Sequence, residues 1–317
     1  MTLTRRFAFV TACLAFLVVV VGAYVRLSAA GLGCPDWPGC YGHPSPWHAA
    51  TEIATAQSEN PLGNVSPGKA WKEMGHRYLA GTLGLGIFFL GGLAWRRTPP
   101  GRRILPGVLV ALVIFQAMLG MWTVTLQLRP VVVASHLLGG MTTLALLAWL
   151  ALDRGREARR PDAGLRRRAL TALVLLALQI ALGGWTSANY AAPACPDFPT
   201  CRGELWPAMD VPGAFSFSPA PGTLPMAALT AIDVLHRLGA VLVLASALWL
   251  AAGLFSTPGT RQSGRLLILV VTVQFLLGMG NVLLSLPLPV AVAHNAGAAL
   301  LLVVVIWINT RLKGDAT

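Results

Sequence analysis

Six histidines occur in the 317 residues, and four of them, His76, His136, His236 and His294, fall inside long apolar runs. A polar side chain buried in such a run is costly without a partner, so ionisable residues there are functional candidates by default. A lone imidazole most simply hydrogen-bonds to a neighbouring helix. Four of them, in two pairs at matching depth, point elsewhere. Two imidazoles facing each other across a helix bundle make a bis-histidine heme site. His43 and His48 lie among Pro and Trp between apolar runs and are expected to face water.

Charged residues accompany the histidines. Glu73 stands three residues before His76 and Asp233 three before His236, which puts each acid on its histidine's helix face. A carboxylate in a first helical turn also favours the helix dipole, and that reading explains Asp233 as well as chemistry does. Glu73 is the better catalytic candidate: an acid beside a bound heme can move protons or steady developing positive charge. Glu-x-x-His also occurs in di-iron carboxylate sites, but no carboxylate lies near His136 or His294. Arg26, Arg77, Arg129 and Arg237 lie near the same level and are candidate partners for heme propionates through charge-assisted pairing; snorkelling to the interface is the alternative. Gly81, Gly84, Gly86, Gly139, Gly140 and Gly297 follow histidines and leave room for a macrocycle, or for close helix packing.

Four of the five cysteines form two Cys-x5-Cys pairs, Cys34 with Cys40 and Cys195 with Cys201, each enclosing two prolines. On an oxidising side these suit disulfides. Four cysteines allow three connectivities, and a shared zinc site lacks the usual Cys-x2-Cys spacing. Cys13 reads as a small packed hydrophobe.

The elements that must hold these residues are membrane helices. The chain is 55% hydrophobic and 11% charged, too apolar for a soluble globule of its size. Eight runs, near 8–28, 74–95, 104–125, 132–152, 169–189, 229–254, 266–285 and 291–310, reach the length that spans a bilayer. The first resembles a signal peptide, with Ser28-Ala29-Ala30 imitating a cleavage site, but its apolar stretch is long enough to be a retained helix. The net charge of +12 is sorted between the runs rather than gathered in one basic domain, which argues against nucleic acid. Arg5, Arg6, Arg96, Arg97, Arg102, Arg103, Arg154, Arg156, Arg159, Arg160, Arg166, Arg167, Arg168, Arg261, Arg265, Arg311 and Lys313 share one side. The positive-inside bias makes that side cytoplasmic, with both termini on it. Trp71, Trp95, Trp122, Trp149 and Trp185 fall near run ends, as an aromatic belt would.

The chain also repeats itself. Cys34-Pro-Asp-Trp-Pro-Gly-Cys40 recurs as Cys195-Pro-Asp-Phe-Pro-Thr-Cys201, Glu73-x-x-His76-Arg77 as Asp233-x-x-His236-Arg237, Gln116 as Gln274 and His136 as His294, at offsets of 158 to 161 residues. The expected fold is all-α: two four-helix halves, 1–152 and 169–317, joined by a cytoplasmic linker, 153–168. An even number of helices per half implies a pseudo-twofold axis along the membrane normal.

These motifs, together with Arg26-Leu-Ser-Ala-Ala-Gly31-Leu-Gly-Cys34-Pro-Asp-Trp37-Pro, resemble the heme A synthase family over nearly the whole chain. That family oxidises a ring methyl of heme O to a formyl group, giving heme A for cytochrome oxidase. The resemblance implies that His76 and His136 receive heme O, that His236 and His294 keep a heme b cofactor, and that Glu73 is the acid beside the substrate. Candidate partners are heme O, membrane lipid, a quinol or other electron donor, and the heme O synthase; the location is the cell membrane. Segments 41–70 and 202–228 carry no motif that can be placed. Two rivals remain at this level. A di-heme, quinol-linked b-type electron carrier would use the same histidines. A transporter would share the repeat but mark its site with broken helices at mid-membrane.

Overall fold

The computed structural model describes residues 2–97, 99, 103–153, 162–217, 220 and 222–312; Arg102, Arg154, Arg156, Arg159, Arg160, Lys313 and residues 154–161 of the expected 153–168 linker lie outside these residues, while 163–168 of that linker begin a helix. The fold is all-α. Eight helices are long and apolar enough to cross a membrane: α1 (Leu3–Leu27), α3 (Pro67–Arg97), α4 (Ile104–Thr125), α5 (Pro130–Leu152), α6 (Ala163–Ala188), α8 (Met226–Ser256), α9 (Arg261–Leu283) and α10 (Leu288–Arg311). A short helix, α2 (Ala50–Glu59), interrupts the first long connection, and a single turn, α7 (Val211–Ala214), lies in the second. Their outward faces carry large apolar side chains such as Leu85, Phe89, Leu242 and Leu269, which only lipid solvates well. The chain is a multi-pass membrane protein.

Proline sets several helix starts. Pro67 and Pro130 open α3 and α5, while Pro225 and Pro287 stand just before α8 and α10. Its fixed φ suits a first turn, where its missing N–H goes unused. The ends repeat along the chain. After α1 and α6, Ala29 (φ 50°) and Tyr190 (φ 55°) turn left-handed. The next amides, of Ala30 and Ala191, reach back to the carbonyls of Val25 and Thr186, a Schellman closure. The short connections after α4 and α9 do likewise: Gln127 and Leu128 match Ser285 and Leu286, all with φ between 50° and 61°.

The backbone divides into two compact units, Met1–Leu147 and Ala148–Thr317, a boundary inside α5. In the first, α3 packs against α1, α2 and α4; in the second, α6 and α9 each pack against both α8 and α10. Asn309 Nδ2 donates to the Ala169 carbonyl at 3.1 Å, tying α10 to α6.

Two local expectations are corrected. The apolar runs place His76 and His236 about one turn into their helices, but α3 and α8 begin at Pro67 and Met226, more than two turns before them. Polar residues such as Lys69 and Lys72 extend α3 beyond the apolar core, while α8 gains Met226, Ala227 and Ala228; Asp233 stands outside the first turn, so dipole capping does not explain it. Trp185 is no belt residue: it is buried, its indole donates to the Ala214 carbonyl at 2.8 Å, and Phe217 packs edge-on at 5.8 Å.

Candidate functional site: paired histidines beneath a clasped disulfide loop

Helical spacing puts Glu73, His76 and Arg77 on one side of α3. Glu73 is only 4% exposed. Its Oε1 pairs with Arg77 Nη2 at 2.5 Å, and its Oε2 accepts the Cys34 amide at 2.9 Å. Arg77 Nη1 donates to the carbonyls of Asp36 (2.8 Å), Pro38 (3.4 Å) and Gly39. The second unit repeats this clasp. Asp233 Oδ2 pairs with Arg237 Nε at 2.8 Å, and Arg237 donates to the carbonyls of Asp197 (2.7 Å), Thr200 (2.9 Å) and Cys195 (2.6 Å). Asp233, one methylene shorter than Glu73, bonds no loop amide among the described residues.

The clasped loops are closed by disulfides Cys34–Cys40 and Cys195–Cys201, which decides among the three connectivities. Each loop carries its own internal anchor. The Asp36 carboxylate accepts the amides of Tyr41 and Gly42, both at 2.6 Å. Asp197 accepts those of Arg202 (2.5 Å) and Gly203 (2.9 Å), and the Thr200 hydroxyl. Those amides are available because Tyr41–Gly42 and Arg202–Gly203 are left-handed at both positions, the geometry of a two-residue type I′ turn. Reciprocal backbone bonds join Cys40 to His43 and Cys201 to Glu204 across the turns. The Thr200 hydroxyl, then the loop amides, hold the Asp197 carboxyl down at about 2. Burial, then the charges of Asp36 and Glu59, push the Tyr41 phenol up. His43 pairs with Glu52 of α2 at 3.6 Å, and His48 Nδ1 meets the Ser45 hydroxyl at 2.7 Å.

Inside the helices, His76 on α3 and His136 on α5 lie within electrostatic reach of each other, as do His236 on α8 and His294 on α10. Each ring rests on a glycine of a neighbouring helix. A Cβ added at Gly22 would stand 2.9 Å from His76 Cε1, and one at Gly183 would stand 3.0 Å from His236 Cε1. One at Gly120 would stand 3.4 Å from His136 Cε1, and one at Gly278 would stand 3.1 Å from His294 Cε1. The Nδ1 atoms of His76, His136 and His294 are buried without a hydrogen-bond partner, which is a costly state. His236 Nδ1 meets Gln179 Nε2 at 3.0 Å. Among the described residues no three of His, Cys, Asp or Glu converge as a metal-binding group. Paired imidazole rings, each set against the backbone of a neighbouring helix, fit heme ligation.

The four candidate arginines divide. Arg77 and Arg237 are engaged by carboxylates and loop carbonyls, whereas Arg26 ends α1 and Arg129, exposed, precedes α5. Of the glycines after the histidines, Gly84, Gly86 and Gly140 sit against Val113, Thr11 and Val19, Gly139 and Gly297 seat Gln116 and Gln274, and a Cβ at Gly81 would meet nothing within 4 Å. Sequence reasoning missed Gly22, Gly120, Gly183 and Gly278. The repeat offers their signal, since Gly22 and Gly183 are 161 residues apart and Gly120 and Gly278 are 158 apart.

Comparison with known proteins agrees with this geometry. Residues 5–306 match the COX15-CtaA family model, described as cytochrome oxidase assembly protein. A heme A synthase of Shewanella oneidensis is 44% identical, over 95% of this chain and 94% of its own length. Heme A synthases of Cereibacter sphaeroides (30% identical, 93% of this chain, 83% of theirs) and Methylobacterium sp. (31%, 94% and 89%) are also similar. The chain belongs to the heme A synthase family, COX15-CtaA.

Proposed function

We propose that this membrane oxidoreductase is a heme A synthase that converts the ring methyl of heme O to the formyl group of heme A. The observation that carries the reading is the duplicated pair of glycine-seated histidines, each pair beside a helix clasped to a disulfide loop. The N-terminal half, residues 1–152, receives heme O between His76 and His136. The C-terminal half, residues 169–317, holds heme b between His236 and His294. The two halves are four-helix bundles related by a pseudo-twofold axis, with both termini cytoplasmic and the disulfide loops outside.

Heme b, when bound, supplies an electron relay. The chain's own residues do the rest. The paired imidazoles hold iron and orient the substrate's plane. Glu73 keeps a carboxylate three residues before His76, its Oε1 paired with Arg77 and its Oε2 accepting the Cys34 amide. It holds a proton or steadies positive charge beside the reacting methyl. Asp233 pairs with its arginine and, among the described residues, lacks the loop bond, and this difference supports placing the chemistry in the first half. Arg26, Arg77, Arg129 and Arg237, near one level, are the cations for the propionates. His236 and His294 would hold heme b, which would relay electrons from a quinol or another donor outside the chain, and the heme O synthase would supply the substrate.

The test is to give heme O to the purified protein with an electron donor and oxygen, and to follow the pigment by mass spectrometry. Hydroxymethyl and formyl products are expected. Two permanently bound, unchanged hemes would instead identify an electron carrier.

A further inference from the structure

The two halves differ at one position that touches a histidine. In the second unit, Gln179 lies on α6 one turn before Gly183, the glycine under the His236 ring. Its Nε2 lies 3.0 Å from His236 Nδ1 and 2.9 Å from the His236 carbonyl, and its backbone-facing Oε1 is buried with no partner. The first unit has the same glycine, Gly22, one turn after Val18. Val18 and Gln179 are 161 residues apart, the offset of the glycines themselves. Val18 offers nothing to the imidazole, and His76 Nδ1 has no hydrogen-bond partner.

We propose that Gln179 is a positioning residue that makes the C-terminal half the one that retains its heme, by holding His236 through Nδ1. The inference rests on the bis-histidine reading above. An imidazole that ligates iron through Nε2 keeps its proton on Nδ1, and a partner for that proton fixes the ring's orientation and strengthens the ligand. Turning the Gln179 amide and shifting its side chain off the His236 carbonyl sets its free Oε1 against that N–H and gives up the Nε2 bond to that carbonyl. The His236 carbonyl keeps its helical partner four residues on. A retained cofactor gains from a locked ligand. A substrate site must admit heme O and release heme A, and an unheld His76 ring suits that exchange.

The test uses full-length protein purified with its heme b. Release of heme to apomyoglobin, the ferric EPR g values and the midpoint potential are measured for the wild type, Gln179→Met, Gln179→Glu and Val18→Gln. Gln179→Met keeps the shape and removes the acceptor, so heme leaves about 10–100-fold faster and the g values move. Gln179→Glu keeps an acceptor, retains heme at the wild-type rate and lowers the potential. Val18→Gln, after loading with heme O, slows release from the N-terminal half. Wild-type release and g values in Gln179→Met, with an unchanged potential in Gln179→Glu, overturn the proposal. His236→Ala run alongside separates the two levels: if it keeps its heme b spectrum, the ligand assignment itself fails, whatever Gln179 does.

Discussion

The glycine under each histidine makes a graded prediction, sharpest at Gly183→Ala. The new methyl would lie 3.0 Å from His236 Cε1, whereas carbon atoms rest at about 3.5–4.0 Å. The ring must therefore retreat by roughly 0.5–1 Å, yet a ring bound to iron cannot retreat without dragging or breaking its bond. Overpacking of this kind costs about 1–3 kcal/mol, which corresponds to about 5- to 150-fold weaker heme binding. The assay is heme b per chain after purification, read as pyridine hemochrome and followed by titration of the stripped protein with hemin. Gly278→Ala (3.1 Å) should behave alike. Gly92→Ala, where an added Cβ meets nothing within 4 Å, serves as the control. In the substrate half, Gly22→Ala (2.9 Å) should weaken heme O binding more than Gly120→Ala (3.4 Å). Full heme occupancy with unchanged hemin affinity in Gly183→Ala would refute the idea that the backbone seats the ligand.

Further outcomes follow from the same geometry. Alanine at His236 or His294 should remove the heme b absorbance, whereas alanine at His76 or His136 should spare it and abolish turnover; equal loss of one chromophore in all four would remove the division between halves. Glu73→Gln should still bind heme O, read by its absorbance, but make little heme A; normal conversion would end the acid's role. Arg77→Met leaves a buried carboxylate unpaired, a change that costs about 3–5 kcal/mol, so the Cys34–Cys40 bond should be reduced and alkylated far faster than in the wild type. The Asp197 carboxyl is held below its ordinary value, at about 2, so its anchoring is complete above the usual carboxylate range and is lost only as pH falls through about 2. Pepsin should spare the 195–204 loop at pH 4 and cut it near pH 2, while Asp197→Asn should be cut at both.

Much of this architecture is readable from residue types, for identifiable reasons. Lipid imposes long apolar runs, so all eight spanning helices are visible, and duplication writes each site residue twice. The start of α3 was less visible, because the helix continues through polar residues such as Lys69, Lys72 and Glu73, which a hydropathy pattern reads as loop. The clasp was hidden too. Arg77 next to a histidine suggests an anionic ligand, but its carbonyl partners come from a loop some 40 residues away, and only folding brings them together. The glycine seats escaped because attention to the histidines' own helices favours glycines nearby in sequence, whereas the seats lie on other helices. Gln179 breaks the repeat, so matching the halves passes over it.

The glycine seats carry a consequence for how such a protein can change over time. A ring that rests on a main chain takes its location from where two helices meet, not from the identity of surrounding side chains. Residues facing the acyl chains can then drift freely, provided the helix axes keep their spacing, and the iron-binding geometry persists. Members only 30% identical can share one metal-binding architecture on these terms, because the part that sets it has almost no side chain to mutate.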